Sequence, residues 1–233
     1  RQRQMCIRDR FVHTMIHELR RPVQTLKVFV SFLNDREMRM DEATTERVLQ
    51  DSMFELDNLS AYLGKLKDMV CADERETLLR PSAFNLRELV EKVVRLTNIP
   101  TGKKVSFSTA FPPDMPDLTA DPVHVANVLS NLIENAIKYS GEEVNIDIVV
   151  LWNQQGVGLT VSDNGFGIAP DERRKVFEKF YRSSHLPDKQ IPGIGLGLSY
   201  VRQIVEAHHG SVSLRSELGE GTRITINLPT AAL

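Results

Sequence analysis

Three polar clusters in this sequence have residue types and spacings suited to phosphate or metal chemistry, and a histidine near the start is placed to act as a nucleophile. In residues 121–139 the apolar side chains Val125, Val128, Leu129, Leu132 and Ala136 recur at helical spacing. At 100° per residue, Asn131, Asn135 and Lys138 fall within an arc of about 60° beside that face. Asparagine is a poor mid-helix residue because its amide competes for backbone hydrogen bonds. Two of them four apart beside a lysine therefore point to a ligand that holds their side chains. An amide oxygen suits Mg²⁺ and an ammonium suits phosphate. Read alone, the same stripe is better taken as a solvated polar edge; the clusters that follow favour the ligand.

Val157, Leu159 and Val161 alternate along a strand that delivers Asp163 to its end, followed by Asn164, Gly165, Phe166, Gly167 and Ile168. A carboxylate there can accept a hydrogen bond from the exocyclic amine of a ligand, and the bare glycine backbone lets that ligand come close. A plain Asp-Asn-Gly turn reads the same way. Further on, Gly193-Ile194-Gly195-Leu196-Gly197-Leu198 precedes a helix, an arrangement that offers backbone N–H groups and a favourable dipole to phosphates. Leu198 stands where a dinucleotide fingerprint needs its third glycine, and no Gly-Lys-Ser/Thr of a Walker loop is present, so any nucleotide is held by a different fold.

His17 follows the apolar Ile16 and precedes Glu18. A neutral imidazole is a competent nucleophile near pH 7, and a neighbouring carboxylate can fix its tautomer and help remove its proton. A lone helical histidine is otherwise a surface or packing residue, and His13, one turn earlier on the same face, competes for the role. Pro22 lacks an N–H and should bend the helix there.

Two kinds of scaffold must position these groups. Val12, Ile16, Leu19, Val23, Leu26, Val30 and Leu33 are spaced by alternating fours and threes, a heptad seam, and Leu49, Leu56, Leu63 and Val70 repeat at sevens. The charged stretch 34–45 between them is short, so the two helices form an antiparallel hairpin. Two helices cannot bury such stripes alone. The expected solution is a homodimer whose two hairpins make a four-helix bundle; docking of the hairpin onto its own chain is the alternative. The hairpin spans residues 8–72, and the polar segment 73–84, with Pro81, reads as a linker.

Residues 85–230 read as a second domain. Asn85 can cap a helix reaching about residue 96, residues 105–110 form a strand, and Asp121-Pro122 opens the helix that reaches Tyr139. Strands follow at 144–152 and 157–162, then a helix at 199–208 and a hairpin of 211–216 with 222–228. The expected fold class is α+β: the helical hairpin, then a two-layer α/β sandwich with a mixed or antiparallel sheet.

Composition removes several function classes. The 233 residues are 41% hydrophobic and carry 29 basic against 31 acidic side chains, a net charge of −2, which leaves no broad positive field for nucleic acid. With only Cys6 and Cys71, neither a disulfide framework nor a multi-cysteine zinc site can form within one chain. No run of 18 apolar residues occurs, so these residues are expected to make no membrane contact, and the basic first ten residues are not followed by the apolar segment of a signal peptide. The chain starts at Arg1 and reads as part of a longer protein, with residues 1–10 open to being non-native.

Taken in order, the motifs resemble those of the sensor histidine kinases, over about residues 10–229. His17-Glu18-Leu19-Arg20-Arg21-Pro22 resembles the phosphoacceptor H-box, and Asn131-Leu132-Ile133-Glu134-Asn135-Ala136-Ile137-Lys138-Tyr139-Ser140 the N-box. Asp163 to Ile168 resembles the first glycine box, Phe177-Glu178-Lys179-Phe180-Tyr181 the F-box, Gly193 to Leu198 the second glycine box, and Gly219-Glu220-Gly221-Thr222 the last. The resemblance implies a Bergerat, or GHKL-type, ATP-binding domain. In it Asp163 binds the adenine amine, Asn135 coordinates Mg²⁺, Asn131 and Lys138 meet the metal or phosphate region, and Tyr139 packs near the adenine. Gly165, Gly167, Gly193, Gly195, Gly197, Leu198 and Thr222 complete the implied ATP site, and residues 182–192, with Lys189, the implied mobile lid.

In hydrolytic relatives the position of Asn131 is typically a water-activating glutamate, so asparagine implies phosphoryl transfer to His17, with Glu18 orienting or deprotonating the imidazole. The resemblance further implies a homodimer, phosphotransfer to an aspartate of a response regulator, and the cytoplasmic portion of a membrane-anchored bacterial sensor. Arg21 departs from the pattern. Thr or Asn usually stands there and is associated with dephosphorylating the partner, and a guanidinium cannot accept a proton or orient water as they do. A GHKL-type ATPase module and a catalytically silent dimerisation and docking scaffold are the alternative readings.

Overall fold

The computed structural model describes residues 78–183, 185, 191 and 195–229, together with Val23, Lys27, Ser31 and Thr44. The chain divides into two units, one of Arg1–Glu76 with Pro192–Ile194, the other of Thr77–Ile191 with Gly195–Leu233. In the first unit the four described residues have helical backbone, and the Ser31 hydroxyl donates to the Lys27 carbonyl at 2.8 Å. Val23, a seam position, is half exposed in the single chain. The rest of the hairpin, His17 and Glu18 included, and the expected four-helix bundle lie outside the described residues.

In chain order the second unit contains β1 (Ser82–Phe84), α1 (Leu86–Leu96), β2 (Lys104–Ala110), β3 (Leu118–Ala120), α2 (Pro122–Lys138), β4 (Glu143–Asn153) and β5 (Gly156–Asp163). A 3₁₀ turn at Lys175–Phe177 follows, then α3 (Gly197–Ala207), β6 (Ser211–Glu217) and β7 (Gly221–Pro229). Five strands make one mixed sheet in the order β2-β4-β5-β7-β6, and β1 pairs separately with β3. Only β2 with β4 is parallel; the other neighbours are antiparallel.

Alternation decides which face of the sheet is covered. Val144, Ile146, Ile148 and Val150 on β4 are buried while Asn145 and Asp147 between them are exposed. Val157, Leu159 and Val161 on β5 and Ile224, Ile226 and Leu228 on β7 join the same core, with Leu86 and Val90 from α1 and Val201, Ile204 and Val205 from α3. Burying each such side chain contributes on the order of 1.5–3 kcal/mol before chain entropy is set against it.

The helix ends are fixed by side chains that the sequence displays. Asn85 accepts from the Glu88 N–H at 3.1 Å, and Asp121 Oδ1 accepts from Val123 and His124 at 3.0 and 3.1 Å. Asp121 Oδ2 also accepts from the Arg80 N–H at 2.7 Å, so the chain entering the domain is tied to the start of α2. The Asp121 N–H donates to Nε2 of the buried His208 at 3.0 Å, while His208 Nδ1 lies 2.8 Å from the Ile204 carbonyl. That pairing makes Nδ1 the protonated nitrogen, and it joins the start of α2 to the end of α3. At the other end of α2, Lys103 Nζ donates to the carbonyls of Ile137 and Ser140, the latter at 2.8 Å, a cation where the helix dipole is negative. Burial lowers the pKa of this lysine.

In the second unit the three expected helices and the five strands of the main sheet are present, and the sheet is mixed. Two differences are informative. Ser82–Phe84 lies inside the segment read as a linker yet pairs as β1 with Leu118–Ala120; three-residue strands are too short to show alternation. Helix α3 starts at Gly197, two residues before the expected Ser199. Glycine is a poor helix former, and the reason it is used here is a close approach within the site.

Candidate functional site

Asn131, Asn135 and Lys138 sit on the last two turns of α2, and Tyr139 is its C-cap. The expected apolar face of Val125, Val128, Leu129, Leu132 and Ala136 is buried, which fixes the rotation of the helix and leaves the polar stripe half buried at its edge. Asn131 Nδ2 donates to the Asn127 carbonyl at 2.8 Å, one turn back, and its Oδ1 lies toward Gly197. The Lys138 ammonium is 5.1 Å from the centre of the Tyr139 ring. Burial raises the pKa of the Tyr139 phenol, and the charge of Arg182 partly offsets that.

Asp163 closes β5, opposite Ile146 of β4 and Thr222 of β7. Its Oδ1 accepts from the Gly165 N–H at 2.8 Å and the Thr222 N–H at 3.2 Å, and its Oδ2 has no hydrogen-bond partner among the described residues. Burial pushes this carboxyl up to about 6, against the pull of the two N–H groups. The turn that follows is stitched to the end of α2. Phe166 N–H donates to the Tyr139 carbonyl at 2.9 Å, and a Cβ on Gly165 would stand 2.5 Å from that same oxygen. Only glycine lets the turn pass so close, and the approach brings Asp163 beside Tyr139.

The outer side of this turn is pinned to the β6–β7 hairpin. Gly167 rests over the Glu217 carbonyl, and the Ile168 N–H donates to the buried Ser216 Oγ at 2.8 Å. Ser216 in turn donates to the Gly221 carbonyl at 2.7 Å and lies 3.0 Å from the Thr222 hydroxyl. Asn164 faces the other way: its Oδ1 accepts from the Asn145 N–H at 2.8 Å, so it caps β4.

The first turn of α3 lies against the stripe on α2. A Cβ on Gly197 would stand 3.1 Å from Asn131 Oδ1 and 3.4 Å from Asn135 Nδ2, so the start of α3 covers part of that polar edge. Leu198 packs on the core behind them. Gly195, with φ at +75°, accepts at its carbonyl from the Phe180 N–H at 2.8 Å. One edge of the domain therefore presents a carboxylate acceptor, then two amides and an ammonium, beside the N–H groups at the start of α3, which have no side-chain cap among the described residues. Such a series suits a ligand with an amino-bearing ring at one end and phosphates at the other.

Gly193, Lys189, His17 and Glu18 lie outside the described residues. Of the segment 182–192, Arg182, Ser183, His185 and Ile191 are described, and Arg182 Nη2 donates to the Ile191 carbonyl. Sequence reasoning passed over Lys103, Ser216 and Glu172. The serine and the lysine carry no local signal. Glu172 sits in the run Asp171-Glu172-Arg173-Arg174-Lys175, which reads as solvated, yet it is 1% exposed. No helix among the described residues is long and apolar enough to cross a membrane.

Residues 120–232 match the family described as Histidine kinase-, DNA gyrase B-, and HSP90-like ATPase. The chain is 30% identical to the adaptive-response sensory kinase SasA of Synechococcus sp. (strain JA-2-3B'a(2-13)), over 99% of this chain and 61% of that protein. Among solved structures it is similar to full-length ShkA in complex with AMPPNP, at 21% identity and a TM-score of 0.67, covering 95% of this chain and 46% of that one. It is equally similar to histidine kinase ThkA in complex with the response regulator protein TrrA, at 21% identity and a TM-score of 0.67, covering 99% of this chain and 64% of that one. At this identity the two structures show a shared fold. The chain spans about half the length of the curated relatives it matches. With the site geometry, these likenesses relate residues 120–232 to the histidine kinase-, DNA gyrase B- and HSP90-like ATPases and make the chain similar to sensor histidine kinases.

Proposed function

We propose that the chain phosphorylates its own His17 from Mg-ATP and passes the phosphoryl group to an aspartate of a response regulator. One observation carries the reading: Asp163 is a half-buried carboxylate whose Oδ1 is held by two backbone N–H groups while Oδ2 has no partner among the described residues, an acceptor shaped for the amine of adenine. Gly165 and Thr222 hold that acceptor, Gly167 seats its turn on the β6–β7 hairpin, and Tyr139 flanks it. Asn131, Asn135 and Lys138 serve the phosphates, together with Gly193, Gly195, Gly197 and Leu198 before and in the first turn of α3.

Among the described residues no three His, Cys, Asp or Glu side chains gather to hold a metal. Where Mg²⁺ accompanies the nucleotide, Asn135 would hold it through its amide oxygen, a hard donor suited to that cation. Bound there, Mg²⁺ would neutralise charge on the phosphates.

In the transfer, an imidazole nitrogen of His17 attacks the γ-phosphorus in line as its bond to the β-phosphate oxygen breaks. ADP leaves with that electron pair, and the imidazole proton passes to Glu18. The reaction demands mainly positioning and charge neutralisation, which Lys138 and the N-terminus of α3 supply. The named kinase SasA supports the activity, and the ThkA structure, which holds a response regulator, supports the partner. The heptad seams support a homodimer through residues 8–72, with a linker from residue 73 that ends before Arg80 and β1, which are fastened to the ATP-binding domain. Family likeness supports the cytoplasmic portion of a membrane-anchored sensor.

Titration calorimetry of the full chain with Mg-ATP tests the site. Binding is expected in the wild type and lost in folded Asp163→Asn and Asn135→Ala. A folded wild type that takes up no Mg-ATP would overturn the proposal in favour of a docking scaffold.

A further inference from the structure

We infer that Glu172 is a positioning residue for the nucleotide site, holding Tyr181 in place and, through it, Gly195 and the first turn of α3 against Asn131 and Asn135. The inference rests on the ATP reading above and adds a residue that touches none of the groups assigned to the nucleotide.

Glu172 is 1% exposed, and among the described residues Asp121 is the one other buried carboxylate. Burying a carboxylate is strongly unfavourable unless hydrogen bonds replace its water. Its Oε1 accepts from the Tyr181 hydroxyl at 2.8 Å and lies 3.3 Å from His185 Nδ1, and its Oε2 accepts from the Ser183 hydroxyl. Tyr181, Ser183 and His185 are alternate residues of one stretch, which leads out of the F-box. Burial, with Glu172 adding to it, pushes the Tyr181 phenol up to about 12, so the hydroxyl keeps its proton and stays a donor.

The backbone at Tyr181 is in turn the seat of Gly195. Phe180 is held at φ +68°, a left-handed conformation uncommon for an aromatic residue, and its N–H donates to the Gly195 carbonyl at 2.8 Å. A Cβ on Gly195 would stand 2.5 Å from the Tyr181 carbonyl oxygen. Two residues on, Gly197 meets Asn131 and Asn135. Each link is a direct contact, so an error in the placement of Tyr181 is passed to the helix start that meets the phosphates. Asp163, at the other end of the site, is held by separate bonds to Gly165 and Thr222. A defect at Glu172 should therefore weaken ATP selectively, and AMP, which reaches mainly the Asp163 end, much less.

Affinities of the full chain for ATP and for AMP with Mg²⁺ present, read by displacement of a fluorescent ATP analogue, test this. Tyr181→Phe and Glu172→Ala are expected to weaken ATP about tenfold, the scale of one hydrogen bond to a charged group, and AMP by less than about twofold. Glu172→Gln keeps an acceptor for the tyrosine and should keep most of the ATP affinity. The double variant Glu172→Ala/Tyr181→Phe should be no weaker than Glu172→Ala, because the hydroxyl acts only through the carboxylate. If Glu172→Ala does not fold, Tyr181→Phe, which removes one hydroxyl, decides. Parallel losses of ATP and AMP, or an unchanged ATP to AMP ratio in folded variants, would overturn the inference and leave the ATP site standing. A folded wild type that binds no ATP would overturn the reading beneath it.

Discussion

Asp163, the proposed amine acceptor, is kept ready at the expense of the fold. Burial lifts its carboxyl from the ordinary 3.8 to about 6, with the Gly165 and Thr222 N–H groups pulling the other way. Because the folded value is the higher one, stability is fullest below about 3.8 and declines as pH rises through about 6. Asn at this position keeps an oxygen for both N–H groups and removes the buried charge. Asp163→Asn is therefore expected to raise Tm at pH 7.5 by about 2–4 °C, roughly 1 kcal/mol after discounting for partial exposure, while abolishing ATP binding. Calorimetric scans of the two proteins check the sign, and a lower Tm in the variant would contradict it. The ligand needs the ionised form as an acceptor, so wild-type ATP affinity should hold at pH 7–8 and fall as pH drops below about 6. Binding isotherms at half-unit steps would show this, and a flat profile down to pH 5 would refute it.

Helices α2 and α3 run so that one pair of ends is joined by His208 and Asp121 while the other pair frames the stripe of Asn131 and Asn135. His208→Ala leaves the Asp121 N–H buried without its acceptor, a loss of about 1–3 kcal/mol. Urea unfolding should report that loss, while ATP affinity of the folded variant stays within about twofold because the joint is at the far end from the site. A matching loss of affinity would show that the ends are coupled. At this scale the sequence was legible where local rules act: caps at Asn85 and Asp121, and apolar alternation in β4, β5 and β7. It was silent on β1 and β3, whose pairing is set by tertiary contact, and on Gly197 as a helical residue, whose use depends on an asparagine 66 positions earlier in the chain.

Across the whole chain, the order of the motifs points to an ATPase-type domain, as the match over residues 120–232 bears out; the helical hairpin expected ahead of it lies outside the described residues. Asp163, Asn131 and Asn135 were legible because each fits its local element poorly unless a ligand is involved. Glu172 was hidden by its neighbours, since a glutamate amid Asp171, Arg173 and Arg174 gives no sign that the fold encloses it. The near-neutral charge agrees with phosphates met by a few placed groups and not by a basic surface. The proposed transfer to His17 forms a single phosphorus–nitrogen bond. Incubating the full chain with Mg²⁺ and γ-labelled ATP, then measuring acid-labile, base-stable label on the protein, tests it most directly. The account predicts label on the wild type and on His13→Gln and none on His17→Gln; free phosphate with unlabelled protein, or label that survives His17→Gln, would contradict it.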